Sequence, residues 1–183
     1  MNNIDNIIKK SVISDHGFGF EPEIDVNYKW DVVDQFRQHG HSHLSLSIAT
    51  DMTSLPKTLH YLSEINHYIN THQEQYLLMD TVDDIFLAKK TGKLALSFMF
   101  QGSAPLEKNI DMIDIFYKLG VRSILLCYNI QNAVGSGCTE DNDAGLSRFG
   151  KLVVDRMNDV GMLIDCSHAG VNTSLDIMKR SNS

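Results

Sequence analysis

Cysteine and proline are scarce in this 183-residue chain: there are three of each, and no apolar run approaches the length of a membrane span. Each shortage excludes something. Cys127, Cys138 and Cys166 are odd in number and form no CxxC pair, so a disulfide framework is not expected and a reducing cytoplasm is the default. Without about 20 consecutive apolar residues no transmembrane helix is expected. Met1 to Lys10 lacks an apolar core followed by a small-residue cleavage site, so no secretory signal is visible. Three prolines leave no Pro-rich linker, and no repeat or low-complexity tract interrupts the chain, so one domain over residues 1–183 is expected. Excess positive charge is also missing. Sixteen Lys and Arg face 23 Asp and Glu, a formal charge of −7, which argues against non-specific nucleic-acid binding.

What is present is an alternation of short apolar runs with helix-period segments. Strands are expected at residues 11–14, 44–49, 94–100, 123–127 and 162–165. A helix opens near Pro56 with Leu59, Leu62, Ile65 and Ile69 on one face. Val82 to Lys90 closes on Gly92, and a further helical face over residues 110–119 ends at Gly120. Two more helices are expected at 147–160, closed by Gly161, and at 171–180. Strands alternating with helices imply right-handed crossovers and a parallel sheet, an α/β fold. In such sheets chemistry collects at the carboxyl ends of strands. Those ends carry Asp15 and His16, Thr50 and Asp51, Gln101, Tyr128 and Asn129, and Asp165 to His168.

His168 directly follows a strand and has the chemistry of a metal ligand or proton shuttle; a helix cap is the plainer alternative. His16 is similar, but Phe18 two residues on has no ligating atom. His39-Gly40-His41-Ser42-His43 has the composition of a metal tract, yet it precedes a strand, so a solvated loop is expected. Gly135-Ser136-Gly137-Cys138 lacks the Lys-Ser/Thr of a phosphate loop, and Cys138 has no evident base.

The stretch from Leu94 to Ser181 resembles the membrane (renal) dipeptidase family of zinc metallopeptidases. Gly145-Leu146-Ser147-x-Phe149-Gly150-x-x-Val153-Val154-x-x-Met157-Asn158-x-x-Gly161-Met162-Leu163-Ile164-Asp165-x-Ser167-His168 is similar to that family's signature. Leu119-Gly120-Val121-Arg122, Leu125-x-x-Tyr128-Asn129 and the loop through Gly137-Cys138-x-Glu140 also match, the last as in a bacterial branch. The resemblance implies a TIM-barrel-like (β/α)₈ fold of which this chain holds about five of eight units. It implies dipeptide hydrolysis by a metal-activated water between two zinc ions. Position by position, His168 and His16 match metal-binding histidines, while the bridging glutamate falls at Gln101 and the first-strand aspartate at Phe18. Tyr128 stands where the family has a histidine that handles the oxyanion, with Asn129 beside it. The family's later ligands fall beyond Ser183. Two carboxylates fewer predict one zinc or none in this chain. The expected substrate is a dipeptide or small peptide-like molecule, and the expected assembly is a homo-oligomer or a partner chain completing the barrel. A non-catalytic binding or assembly protein with the same fold is the alternative; an unrelated doubly wound domain fits the signature poorly.

Overall fold

A computed structural model describes residues 3–20 and 26–182. Its elements in chain order are α1 (Asn3–Lys10), β1 (Ser14–Gly19), α2 (Val26–Gln38), β2 (His43–Thr50), α3 (Leu55–Thr71), β3 (Tyr76–Leu78) and α4 (Val82–Thr91). These are followed by β4 (Leu94–Gln101), α5 (Met112–Lys118), β5 (Val121–Leu125), α6 (Arg148–Val160), β6 (Leu163–Asp165) and α7 (Val171–Arg180), with a 3₁₀ turn at Ala104–Leu106. The strands follow the order β1-β2-β4-β5-β6, with β3 beside β4. The pairings of β1 with β2, β3 with β4, β4 with β5 and β5 with β6 are parallel, as the βα alternation predicts.

Two features depart from the sequence pattern. The first strand runs over 14–19 rather than 11–14, through the glycines that carry a turn signal. Gly17, with φ near 105°, is left unpaired as a bulge between His16, opposite Ser45, and Phe18, opposite Leu46. Helices α1 and α2 and the three-residue β3 lie where the pattern predicts no element. By contact density the chain forms two compact units, Met1–Ser47 with Tyr61–Ser97 and Ile48–His60 with Phe98–Ser183.

In the first unit Leu44 and Leu46 lie on one face of β2, while His43, Ser45 and Ser47 lie on the other; all five are buried. Trp30 of α2 stacks on Tyr68 at 3.8 Å and meets Phe20 edge-on at 4.9 Å. Burying a side chain of this size contributes on the order of 2–3 kcal/mol. The histidine tract is not uniformly solvated. His43 is 6% exposed, with Nδ1 2.7 Å from Ser14 Oγ and Nε2 2.9 Å from Ser97 Oγ. Period-2 alternation turns it into the sheet because it is the first residue of β2.

In the second unit Phe100 packs edge-on against Phe116 of α5. The opposite face of β4 carries Met99 and Gln101, in register with Ser123 and Leu125 of β5. Leu125 is itself in register with Asp165, so Gln101, Leu125 and Asp165 form one row at the strand ends. Helix α6 starts at an N-cap, Ser147, whose hydroxyl accepts from Gly150 N–H at 2.9 Å and donates to Ala133 carbonyl at 2.6 Å. Gly150 is required there: a Cβ would stand 2.1 Å from the Val134 carbonyl oxygen.

Candidate active site

The carboxyl ends of β4, β5 and β6, with the turn after β2, place the polar cluster of the second unit. Asp51 is its hub. Oδ1 accepts from the N–H groups of Ser103 and Ala104, at 2.9 and 3.0 Å. Oδ2 accepts from Tyr128 N–H at 3.3 Å and Asn132 Nδ2 at 3.0 Å. One carboxylate thus ties the segment after β4 to the segment after β5. Asn132 relays the tie: Nδ2 also donates to Leu126 carbonyl at 2.7 Å, and Oδ1 accepts from Val134 N–H at 2.8 Å. A cavity of about 300 Å³ opens beside Asp51, walled by Ser103, Ile130 and Phe149. The strand-end rule points to Asp51 only as a position; its role comes from four contacts more than 50 residues away in sequence.

Tyr128 and Asn129 leave β5 in this braced segment. Asn129 has φ near 63° and His168 has φ near 61°, both in the left-handed region that costs a non-glycine residue about 1 kcal/mol or more. These two residues bind each other: His168 Nδ1 lies 2.8 Å from Asn129 Oδ1, and the His168 ring stacks on Tyr128 with centroids 4.4 Å apart. Backbone bonds hold the arrangement. Cys138 N–H donates to the His168 carbonyl at 2.8 Å, and Thr139 N–H to the Asn129 carbonyl at 2.9 Å. Gly137 allows that approach, since a Cβ there would lie 2.1 Å from the Asn129 backbone. With Asn129 Oδ1 accepting, Nδ1 carries the hydrogen and Nε2 presents its lone pair outward, the tautomer a metal or a proton donor meets.

The other sequence candidates fall differently. Gln101 is half-buried at the end of β4, in the row with Leu125 and Asp165. His16 belongs to the first unit, exposed and in register with Ser45. The Gly17 bulge sends Phe18 to the face opposite His16, where it packs against Phe20 and Phe36. A His-x-Asp ligand pair cannot be read at these positions. Cys127 is inert, its thiol pushed up to about 12 by burial and then by the Asp51 charge. Among the described residues no three His, Cys, Asp or Glu side chains converge as a metal-binding group. The donor set among the described residues therefore does not fit a two-metal centre.

The family model for membrane dipeptidase (peptidase family M19) matches residues 30–183. The chain belongs to this family. Dipeptidase relatives include an uncharacterised dipeptidase of Schizosaccharomyces pombe, 27% identical over 138 residues, covering 71% of this chain and 33% of the relative. Rat dipeptidase 3 is 35% identical over 85 residues, 43% of this chain and 17% of that protein. Among solved structures, an amidohydrolase from Pseudomonas aeruginosa superposes with a TM-score of 0.85 at 28% identity, covering 98% of this chain and 53% of that one. A dipeptidase classed as an M19 metallopeptidase gives a TM-score of 0.79 at 14% identity, covering 93% and 60%, and speaks to the fold alone. The dipeptidase-family chain thus has the TIM-barrel-like architecture over the part it spans, about half the length of the solved relatives. No helix among its described residues is long and apolar enough to cross a membrane.

Proposed function

We propose that this chain takes part in metal-dependent hydrolysis of dipeptides or small peptide-like substrates, with His168 as a metal ligand. The observation carrying this reading is the held imidazole: Nδ1 fixed by Asn129 at 2.8 Å and Nε2 without a partner among the described residues. Asn129 positions His168 rather than the substrate. The Tyr128 hydroxyl is the donor suited to an oxygen on which negative charge develops. Zinc, one ion or none, is the expected metal; Gln101 is the second ligand position in the unit of His168, and His16 is a separate candidate ligand of the first unit. A reducing cytoplasm suits three free cysteines. The test is zinc analysis of purified protein with hydrolysis of a dipeptide panel after zinc loading. At least one zinc, lost in His168→Ala, and measurable turnover are expected. A well-folded sample with neither overturns the reading.

A specific observation favours a second reading, a non-catalytic binding or assembly protein. Gln101 brings a neutral amide to the row where a carboxylate would bridge two cations. Gln101→Glu should then raise zinc affinity at least tenfold, and unchanged affinity would show that the position is not a ligand. Association with a second copy or another chain is expected at β6, where Leu163 is 58% exposed. Light scattering checks it, a stable monomer being the contrary result.

A further inference from the structure

A second concavity lies in the first unit, and none of the residues of the proposed reaction lines it. It has a volume of about 460 Å³, within the range of small-molecule sites, and gathers the carboxyl-terminal ends of α1, α2 and α4. Lys9, Arg37, Lys89 and Lys93 line it together with His39 and His41, and no Asp or Glu does. For a chain of net charge −7 that is a local inversion of sign.

The plain explanation is that cations complement helix carboxyl ends, so the magnitudes decide. Three such ends carry about half a negative charge each. Arg37 is neutralised by Asp34, at 2.6 Å. Three ammonium groups remain against about one and a half negative charges, a net positive cavity. The walls are also tied together. Lys89 Nζ donates to the Ile8 carbonyl at 2.8 Å and the Gly40 carbonyl at 3.4 Å, bridging α1 to the 39–41 turn. Gly40, with φ near 89°, lets that turn pack under Ile8, whose Cγ2 a Cβ would meet at 2.7 Å. Two cations, Lys9 and Lys93, have no partner among the described residues and line the space.

We propose that this cavity binds a phosphorylated small molecule, recognised through its phosphate oxygens by Lys9, Lys89 and Lys93. Ammonium groups suit phosphate as mobile point charges with three donors each. The imidazoles are held by their Nδ1 atoms, His39 on the Gln35 carbonyl at 2.7 Å and His41 on the Phe36 carbonyl at 3.2 Å, which leaves each Nε2 for the remaining part of the ligand.

Inorganic pyrophosphate is the probe, titrated calorimetrically at about 0.15 M salt so that diffuse attraction is screened. Saturable one-to-one binding with Kd below about 1 mM is expected. Lys9→Gln with Lys93→Gln should weaken it at least tenfold, and Lys93→Gln alone severalfold should the double variant fold poorly. Lys90→Gln, on the same helix as Lys89 but outside the lining, should leave it within twofold. Absence of saturable binding overturns the proposal, as does equal weakening by Lys90→Gln. Zinc binding that depends on His39 and His41, with no response to pyrophosphate, overturns it in favour of a cation site.

Discussion

His43 and His168 sit at opposite ends of strands and put the same side chain to opposite uses. His43 begins β2, is buried, and spends both ring nitrogens on serine hydroxyls, Ser14 and Ser97. His168 follows β6, is exposed, and spends one nitrogen on Asn129 while the other faces outward. Burial with both nitrogens satisfied makes a structural residue, whereas one anchored and one open nitrogen makes a chemical one. The contrast also carries a cost in opposite places: His43 costs desolvation, and His168 costs backbone strain at φ near 61°.

The sharpest way to break the comparison is to remove each ring. His43→Ala leaves a void and two serine hydroxyls without their partner, for a loss of about 3–4 kcal/mol. His168→Ala removes an exposed ring and one hydrogen bond, for a loss of about 1 kcal/mol or less. Urea unfolding midpoints at unchanged m-value measure both. Equal losses would show that His168 is as structural as His43.

Acid separates them without mutation. Burial, then the nearby His16 charge, pushes His43 down from 6.5 to about 4. A histidine depressed in the folded state is protonated first in the unfolded chain, so stability is full above about pH 6.5 and falls as pH drops toward 4. At about 1.36 kcal/mol per pH unit the loss is about 3 kcal/mol. Carboxylates held low by arginine, Asp34 by Arg37 and Asp114 by Arg156, act mainly at and below the lower edge of that window. The slope between pH 6.5 and 4 should therefore flatten in His43→Gln and persist in His168→Gln, read from unfolding midpoints across pH. A slope that survives in His43→Gln places the titrating group elsewhere.

The same contrast, between local and distant partners, explains which features are legible in the sequence. Helices α4 and α6 are readable because their ends are local: Gly92 and Gly161 adopt φ near 75°, and Ser147 caps its own helix. The strand-end location of Tyr128, Asn129 and His168 follows from βα order alone. The β1 bulge is not readable, because Gly17 is a turn signal locally and becomes a bulge only when paired against Ser45 and Leu46. The sequence pattern makes His43 solvated because its partners, Ser14 and Ser97, lie 29 and 54 residues away. Asp51 as a hub is hidden for the same reason. Its four donors come from two later segments.

That hub gives the next test. Asp51→Asn keeps Oδ1 facing Ser103 and Ala104 but turns an NH₂ toward the N–H of Tyr128 and the amide of Asn132. One donor then faces two others, and a destabilisation of about 2 kcal/mol is expected by urea unfolding. It should loosen the Tyr128–His168 stack while leaving the acid slope of His43 unchanged. A shifted slope would mean that the two histidines are coupled, and the comparison between them would fail.

The smallest effect is the most informative about His168. Asn129→Gly relieves a residue held at φ near 63°, a gain of about 1 kcal/mol, and removes the hydrogen bond to His168, a loss of about the same size. Stability should therefore change by less than about 0.5 kcal/mol. The imidazole should change instead. Freed of Asn129 Oδ1, His168 loses its reason to keep the hydrogen on Nδ1, and ¹⁵N chemical shifts should move from a single tautomer toward a mixture. Asn129→Asp, which preserves the acceptor, should keep the single tautomer. An unchanged tautomer in Asn129→Gly would show that Asn129 Oδ1 does not select it and would relieve Asn129 of its positioning role.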